Sequence, residues 1–239
     1  MTIYFLSFIT VSAAIFALMY CLPFVLRKIE EKHLRYYCRQ HGILVLTYDD
    51  GPGQRLTPQL LNIFKKDCVK ATFFILGMRA NQHPEILEQI KEAGHEIGFH
   101  GQNHINYWKV SPWKALRDFR IAHRTLAPAM RRNGIFRPPY GKLTVIQWFE
   151  IKRQKIQLGW WTFVSGDTYN KLQPIEHVVN AIEKNNGGVI LLHDFDRDVR
   201  HVEYEKYVLE LTQKLIKLAN QNGLKIKKLG ELVDEFYIN

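Results

Sequence analysis

Cysteine is scarce in this sequence, with three residues of that type in a chain of 239. Their number is odd, and no two of them have the Cys-x-x-Cys spacing. The pattern excludes a disulfide framework or a thiolate metal site as the basis of the fold. The three residues are Cys21, Cys38 and Cys68.

Acidic residues are also in deficit, since 23 Asp and Glu stand against 33 Lys and Arg, for a net charge of +10. Such a chain is attracted to anionic surfaces, which include phospholipid, phosphate-bearing substrates and nucleic acid. No helix-turn-helix, RNA-recognition or zinc-finger pattern accompanies the charge, so we expect no nucleic-acid partner. With 46% hydrophobic residues the chain can bury a core, and its length suits one large α/β domain or two small ones.

Charged side chains are missing from residues 2–26, which consist mainly of Ile, Phe, Leu, Val and Ala. A helix of this length crosses a hydrocarbon core of about 30 Å. A secretory signal peptide is the alternative, but it usually carries basic residues before an apolar run of about 7–15 residues. No basic residue precedes this run. We therefore predict an uncleaved transmembrane anchor over residues 1–26, a basic connector over 27–42 and a folded domain over 43–239.

Basic residues follow the apolar run directly, and none precedes it. They are Arg27, Lys28, Lys32 and Arg35. By the positive-inside rule, this bias favours a single-pass protein of the cell membrane with its large domain on the cytoplasmic side. An extracytoplasmic domain remains the alternative.

Short apolar runs alternate with amphipathic segments after residue 43. The predicted strands are Ile43–Asp50, Ala71–Gly77, Glu96–His100, Ile135–Arg137, Ile156–Phe163, Gly188–Asp194 and Leu224–Leu229. The predicted helices are Thr57–Val69, Pro84–Ala93, Ser111–Met130, Pro174–Lys184 and Tyr204–Asn222. This alternation indicates a parallel sheet covered by helices. Seven strands without a Gly/Ser/Pro linker favour one barrel or near-barrel over two domains.

Polar side chains end several of these predicted strands. They are Asp49, Asp50, His100, Arg137, His193 and Asp194. In β/α barrels the active site forms at the carboxyl ends of the strands, an edge that we call the mouth. Asp is also common in turns, and the Asp pair precedes a Gly-Pro turn. Polar residues at four strand ends nevertheless predict one shared site.

A histidine pair follows the third predicted strand. His100 and His104 have the His-x-x-x-His spacing, which brings two imidazoles to one side of a helical turn or tight loop. With Asp50 at a neighbouring strand end, they offer two nitrogens and one carboxylate oxygen. That set suits a divalent ion, Zn²⁺ first, with Co²⁺, Ni²⁺ or Mn²⁺ as alternatives. A chance pair is the competing explanation, because the chain has ten His.

Four segments resemble motifs of the polysaccharide deacetylase family, the NodB-homology group of carbohydrate esterases. The resemblance spans about residues 43–230 and implies a distorted (β/α)7 barrel, here preceded by one transmembrane helix. It also implies metal-dependent removal of an N-acetyl group from an amino sugar. The segments are Thr47-Tyr48-Asp49-Asp50-Gly51-Pro52, His100-Gly101-Gln102-Asn103-His104, Arg137-Pro138-Pro139-Tyr140 and Leu191-Leu192-His193.

The resemblance implies a role for each matching residue. Asp50, His100 and His104 would hold the metal. Asp49 would be the base that activates water, and Arg137 would steady it. The remaining implied roles are an oxyanion contact from the Tyr140 N–H, protonation of the leaving amine by His193, orientation of His193 by Asp167, and substrate binding by Pro138, Trp161 and Leu191.

Ordinary structural roles are the alternative explanation for three of these residues. A turn forced by Pro138-Pro139, with an Arg stretched to the surface, would account for Arg137 and Tyr140. Asp167 lies in Ser-Gly-Asp-Thr and suits a turn almost as well.

Three positions depart from the family's usual pattern. Gly101 replaces a Ser or Thr, Val164 stands where an Asp is frequent, and Thr168 replaces a Trp that walls the acyl pocket. The departures leave the predicted ligands intact, but they put the acyl pocket in question.

The sequence therefore predicts a metal-dependent hydrolase that removes N-acetyl groups from an amino-sugar glycan or a lipid-linked amino sugar. The anchor and the basic charge favour a sugar linked to a lipid phosphate. One alternative is a deformylase, or another amide hydrolase, acting on a sugar-lipid. The other is a catalytically silent glycan-binding module, although such a module needs no base, acid and metal ligands together.

Overall fold

The structure is a computed structural model that describes residues 10–132, 134–196 and 201–238. Within these residues, eight strands form one sheet in the order β5-β4-β3-β2-β1-β7-β6, and β8 pairs with the start of β1. Their bounds are Ile43–Asp49 (β1), Thr72–Ile75 (β2), Glu96–Phe99 (β3), Ile135–Phe136 (β4), Gln157–Leu158 (β5), Phe163–Val164 (β6), Gly188–His193 (β7) and Lys225–Ile226 (β8).

The strands are parallel and the sheet curls into a half-barrel, which confirms the predicted α/β fold class. All seven residues of β1 are buried, as expected for the central strand of a parallel sheet with both faces covered. β5 and β6 lie at the two ends of the strand order. The half-barrel therefore has an open side between them.

Nine α-helices surround the sheet within the described residues, in addition to two 3-10 helices at Ala127–Ala129 and Pro139–Gly141. Their bounds are Thr10–His41 (α1), Leu56–Asp67 (α2), Gly77–Gln82 (α3), Pro84–Glu92 (α4), Pro112–Leu126 (α5), Val145–Arg153 (α6), Ile175–Lys184 (α7), His201–Asn222 (α8) and Leu229–Ile238 (α9). The five predicted helices correspond to α2, α4, α5, α7 and α8. The sequence pattern does not predict α3, α6 or α9, of which α3 has six residues.

The predicted strand Ile156–Phe163 is two short strands in the structure. Residues 159–162 interrupt it, and the first two of their carbonyl groups accept hydrogen bonds from a side chain instead of a neighbouring strand. Arg137 Nε donates to Gly159 O at 2.8 Å, and Arg137 Nη2 donates to Trp160 O at 3.5 Å. The interruption is therefore part of how the site is built.

Helix α1 runs without a break from Thr10 to His41, with a π-helical turn at Ala17–Cys21. By length and composition it can cross a membrane, a test that a signal sequence also passes. Residues 1–9 of the predicted anchor lie outside the described residues. The predicted connector is helical up to His41, and Leu34 and Cys38 are buried in the core.

The second half of α1 covers the open side of the half-barrel. Arg35 donates to Thr162 O, and Trp160 Nε1 donates to Glu30 at 2.6 Å. Further along, Arg27 Nη1 donates to Gly141 O at 2.6 Å. The helix thus contacts the segment that interrupts the sheet between β5 and β6.

Candidate active site

The predicted site residues follow strands that lie side by side. Asp49 and His193 are register partners on β1 and β7. Backbone hydrogen bonds continue past the strand ends, from His100 N to Ile75 O at 2.9 Å and from Arg137 N to Phe99 O at 3.1 Å. The carboxyl ends of four strands therefore meet at one mouth, as the sequence pattern predicts.

Asp50, His100 and His104 come together at this mouth. Asp50 Oδ1 lies 3.2 Å from His104 Nε2 and 3.5 Å from His100 Nε2. One ligand atom from each of the three residues lies within 4.8 Å of the others. Within the described part of the chain, Asp50 Oδ1 is buried and has no hydrogen-bond partner. A buried carboxylate oxygen without a donor beside two imidazole nitrogens fits a divalent ion.

The environment keeps the two imidazoles in the form that binds metals. Burial lowers the pKa of His100 well below its usual value, and it also lowers the pKa of His104. His100 Nδ1 lies 2.7 Å from Arg137 O. Because a carbonyl oxygen only accepts, Nδ1 carries the proton and Nε2 offers its lone pair to the cluster. This is how a metal-binding histidine is usually oriented.

Three site residues have left-handed backbone conformations. The φ angles are 72° at Asp50, 51° at His104 and 57° at Tyr140. Such angles are unfavourable for residues other than glycine and concentrate at functional sites. The fold therefore holds these side chains at a conformational cost.

Asp49 is held by a buried arginine. Arg137 is fully buried and donates to Asp49 Oδ1 at 2.7 Å and to Thr47 Oγ1 at 2.8 Å. Burial raises the pKa of Asp49 to about 6, and the Arg137 charge opposes that rise. Asp49 Oδ2 lies 3.7 Å from His100 Nε2. A mostly ionised carboxylate therefore sits beside the Asp50–His100–His104 cluster near neutral pH.

His193 is paired with Asp167. Its Nδ1 lies 3.0 Å from Asp167 Oδ1, and its backbone N–H donates to Asp167 Oδ2 at 2.8 Å. Burial would lower the pKa of His193, but the charge and hydrogen bond of Asp167 outweigh it and raise the pKa to about 9. The pairing leaves Nε2 to exchange a proton with a bound molecule.

The other predicted residues differ in exposure. Tyr140 is 54% exposed, and the centroid of its ring lies 4.6 Å from that of the His104 ring. Trp161 is half-buried, with the Arg137 guanidinium 5.4 Å from its ring. Pro138 and Leu191 are buried. Tyr140 and Trp161 therefore offer more surface to a ligand than Pro138 and Leu191 do.

The loop that carries His104 is organised by Asp118 of α5, which the sequence analysis missed. Its carboxylate accepts from Gln102 N at 2.9 Å, from Asn103 N at 3.1 Å and from the Tyr107 hydroxyl at 2.9 Å. The departure at Gly101 follows from this arrangement. With φ at +82°, a Cβ there would lie 2.8 Å from Asp118 Oδ2.

We expect Asp118→Ala to weaken metal binding without removing any ligand. Two loop N–H groups would lose their acceptor, so the loop that positions His104 would loosen. We expect a loss of about 10-fold in metal affinity, as for other residues that support metal ligands, measured by competition with a chelator. Asp67→Ala, an exposed residue at the opposite edge of the sheet, is the control. Unchanged affinity in Asp118→Ala would contradict this role.

Two further residues near the site were not assigned from the sequence. Asp194 is buried, accepts from Thr57 Oγ1 at 2.6 Å, and lies where a Cβ on Gly51 would clash with it. Its position at a strand end was visible, but its role in shaping the turn after Asp50 was not. The sequence predicts only a role in membrane orientation for Arg27, whereas the structure buries it against Trp161, 4.4 Å from the ring.

Comparison with known proteins gives consistent matches. The family model described as polysaccharide deacetylase matches residues 37–158. The chain is 31% identical over 159 residues to a peptidoglycan-N-acetylglucosamine deacetylase of Bacillus cereus, covering 65% of this chain and 74% of the relative. It is also 31% identical over 159 residues to the peptidoglycan-N-acetylmuramic acid deacetylase PdaC of Bacillus subtilis, covering 65% of this chain and 33% of that relative.

Solved structures agree with these matches. The crystal structure of the Bc1960 peptidoglycan N-acetylglucosamine deacetylase, in complex with a benzamide compound, superposes with a TM-score of 0.71 at 26% identity. The superposition covers 80% of this chain and 87% of that one. The chain spans only part of the length of its curated relatives.

Proposed function

The chain belongs to the polysaccharide deacetylase family of hydrolases, which act on carbon–nitrogen bonds other than peptide bonds, and from this we propose that it removes the N-acetyl group from an amino-sugar glycan. The observation that carries the proposal is the carboxylate of Asp49, held by Arg137 within 3.7 Å of His100. A separate ionisable pair, His193 and Asp167, lies on the next strand and its neighbouring loop.

Asp50, His100 and His104 would hold a divalent cation, for which Zn²⁺ is our first candidate because the ligands are two nitrogens and one oxygen. When bound, such an ion lowers the pKa of water and polarises a carbonyl group. Their geometry and the low pKa values of the imidazoles support this assignment.

The chain's own groups would carry the proton transfers. Asp49 would accept a proton from the attacking water, and Arg137 would hold its carboxylate in position. The Tyr140 N–H would donate to the amide oxygen as negative charge develops on it. His193 would deliver its proton from Nε2 to the departing amine, while Asp167 stabilises the charged imidazole.

The altered pocket positions bear on which acyl group the site accepts. Tyr140 and Trp161 would contact the substrate most, with Pro138 and Leu191 forming the pocket behind them. The test is release of acetate from an N-acetylated amino-sugar oligomer by the purified full chain. Faster release of formate from the N-formyl analogue would instead favour a deformylase. Binding without release of either acid would identify a silent module.

The pH dependence of the reaction should report on His193. Its pKa of about 9 means that the acid form is present at neutral pH and is lost as the pH rises through that value. We expect kcat/KM to fall on the alkaline side at about that pH. In Asp167→Asn, loss of the neighbouring charge should lower the pKa and move this limb down by about 1 to 3 pH units.

The control for that profile is Asp234→Asn, an exposed carboxylate paired with Arg131 at the surface. Its alkaline limb should stay in place. An unmoved limb in Asp167→Asn would show that another group is the acid.

We also propose that residues 1–26 anchor the protein as a single-pass span, with a catalytic domain over 43–239. The exposed apolar residues of α1 support this proposal. The basic residues after the span favour a cytoplasmic domain. A C-terminal reporter that is active on only one side of the membrane would decide the orientation.

A further inference from the structure

Helix α1 packs along the open side of the half-barrel. Its C-terminal end lies at the base, where the strands begin, and its N-terminal part reaches the mouth. Near the base, Asn186, which precedes β7, donates to Arg39 O at 2.9 Å. At the mouth, Arg27 binds the turn that contains Tyr140. Still further toward its N-terminus, the rings of Phe24 and Tyr20 lie 6.1 and 5.8 Å from that of Trp108, on the loop after His104. The N-terminal end of α1 therefore leaves the barrel on the side of the active site.

The part of α1 beyond the mouth is apolar and uncovered. Every residue from Thr10 to Ala17 is exposed, and no charged residue occurs before Arg27. The helix is continuous between this segment and the part that packs on the barrel, with a π-helical turn at Ala17–Cys21 followed by Pro23. In the direction that the structure gives this segment, it would enter a membrane on the side of the mouth, whichever face of the membrane the domain occupies.

The height of the mouth above such a membrane follows from the same contacts. Tyr20 and Leu26 are separated by about 9 Å along a helix, and the apolar run ends at Leu26. Trp108 touches α1 within this interval. The polar headgroup layer on each side of a bilayer is about 5 to 8 Å thick. The rim of the mouth would thus lie at the level of the headgroups.

The rim has the composition of a membrane-interface surface. Lys142 Nζ lies 4.1 Å from the Trp108 ring and 5.5 Å from that of Phe24. Lys109 is exposed beside them, Lys28 is exposed but paired with Glu31 at 2.8 Å, and Tyr140 is 54% exposed. Aromatic rings concentrate at membrane interfaces, and clustered Lys attracts anionic headgroups.

We propose that the mouth faces the membrane that α1 enters, and that its N-acyl amino sugar is carried on a membrane lipid. The substrate class rests on the deacetylase activity proposed above. A soluble polymer would have to pass between the rim and the headgroups to reach Asp49 and Asp50. A sugar attached to a lipid headgroup is already at that level, and its lipid phosphate would meet Lys109 and Lys142.

The orientation is testable by depth-dependent quenching in the full chain. Cys68 is exposed at the edge of the sheet opposite the mouth, and burial raises the pKa of the Cys38 thiol to about 12, so Cys38 resists labelling. One protein carries Cys21→Ser and a fluorophore on Cys68. The other carries Cys21→Ser, Cys68→Ser and a fluorophore on Lys109→Cys. Both are reconstituted in phosphatidylethanolamine–phosphatidylglycerol vesicles containing headgroup-nitroxide lipid.

We expect the label at position 109 to be quenched severalfold more than the label at position 68. Equal quenching, stronger quenching at position 68, or failure of the chain to enter the vesicles would overturn the orientation. This readout does not depend on catalysis.

The substrate class is tested in the same vesicles with unlabelled protein. We expect kcat/KM to be at least about 10-fold higher for N-acetylglucosamine linked to a polyprenyl phosphate than for a soluble N-acetylglucosamine oligomer, since membrane confinement raises the effective concentration of the lipid-linked sugar. Equal values would overturn the lipid-linked class while leaving the orientation in place. No turnover of either substrate would overturn the deacetylase proposal and the substrate class together, and the quenching ratio would still decide the orientation.

Discussion

Asp49→Asn is expected to lower kcat by about 10²- to 10⁴-fold, the range for loss of a general base. The substitution keeps the size and one hydrogen-bond acceptor of the side chain, so Arg137 retains a neutral partner. It removes the charge that would accept a proton from water. Metal content should be unchanged, because the predicted ligands are Asp50, His100 and His104. The measurements are the rate of acetate release and metal analysis of the same preparation.

Stability needs separate control in this variant. Arg137 is fully buried, and removing its charged partner costs about 3 to 5 kcal/mol in comparable buried pairs. Circular dichroism at the assay temperature must therefore show a folded protein. Asp234→Asn, which removes an exposed carboxylate, should retain both rate and stability. A folded Asp49→Asn protein with the wild-type rate would show that another residue is the base.

His100→Ala should remove both the bound metal and the activity. Metal content is expected to fall from about one ion per chain to well below that, because only two ligands would remain. The rate should fall by at least about 10³-fold, since a bound ion contributes several kcal/mol to such reactions. Metal analysis gives a result that does not depend on the assay.

Two variants make this result interpretable. His100→Gln preserves more of the buried volume, so its metal content separates ligand loss from cavity formation. His177→Ala removes an exposed histidine of α7 and should change neither metal nor rate. Undiminished glycan binding without metal in His100→Ala, combined with no wild-type turnover, would favour the silent module.

The mouth could be predicted from sequence because its chemistry follows a simple rule. Asp49, His100, Arg137 and His193 each lie at or just after the end of an apolar run, and parallel strands bring such ends to one edge. The His-x-x-x-His spacing then pointed to the cluster with Asp50. These signals are local in sequence, so they can be recognised without knowing how the chain packs.

The supporting contacts could not be predicted in the same way. Residues 159–162 resemble the middle of a strand in sequence, and only the position of Arg137 shows that the carbonyl groups of Gly159 and Trp160 accept from its guanidinium. Asp118 lies within a helix whose polar residues resemble a solvated face. Its burial depends on the folded path of the loop from Gly101 to Tyr107.

The packing of α1 against the half-barrel could not be predicted from the sequence for a related reason. Between Arg27 and His41 the sequence is dense in charge, which suggested a connector. The structure buries a narrow stripe of that helix, Arg27, Leu34 and Cys38, and leaves most of the charges outside. A stripe this narrow gives a weak periodic signal.

Truncation at residue 42 would therefore remove part of the folded domain. Such a cut would uncover Trp160 and Phe163 along the gap between the terminal strands and would release the turn held by Arg27. A chain that starts near Ala17 would lack the exposed residues 10–16 and would keep the part of α1 that covers the open side of the half-barrel.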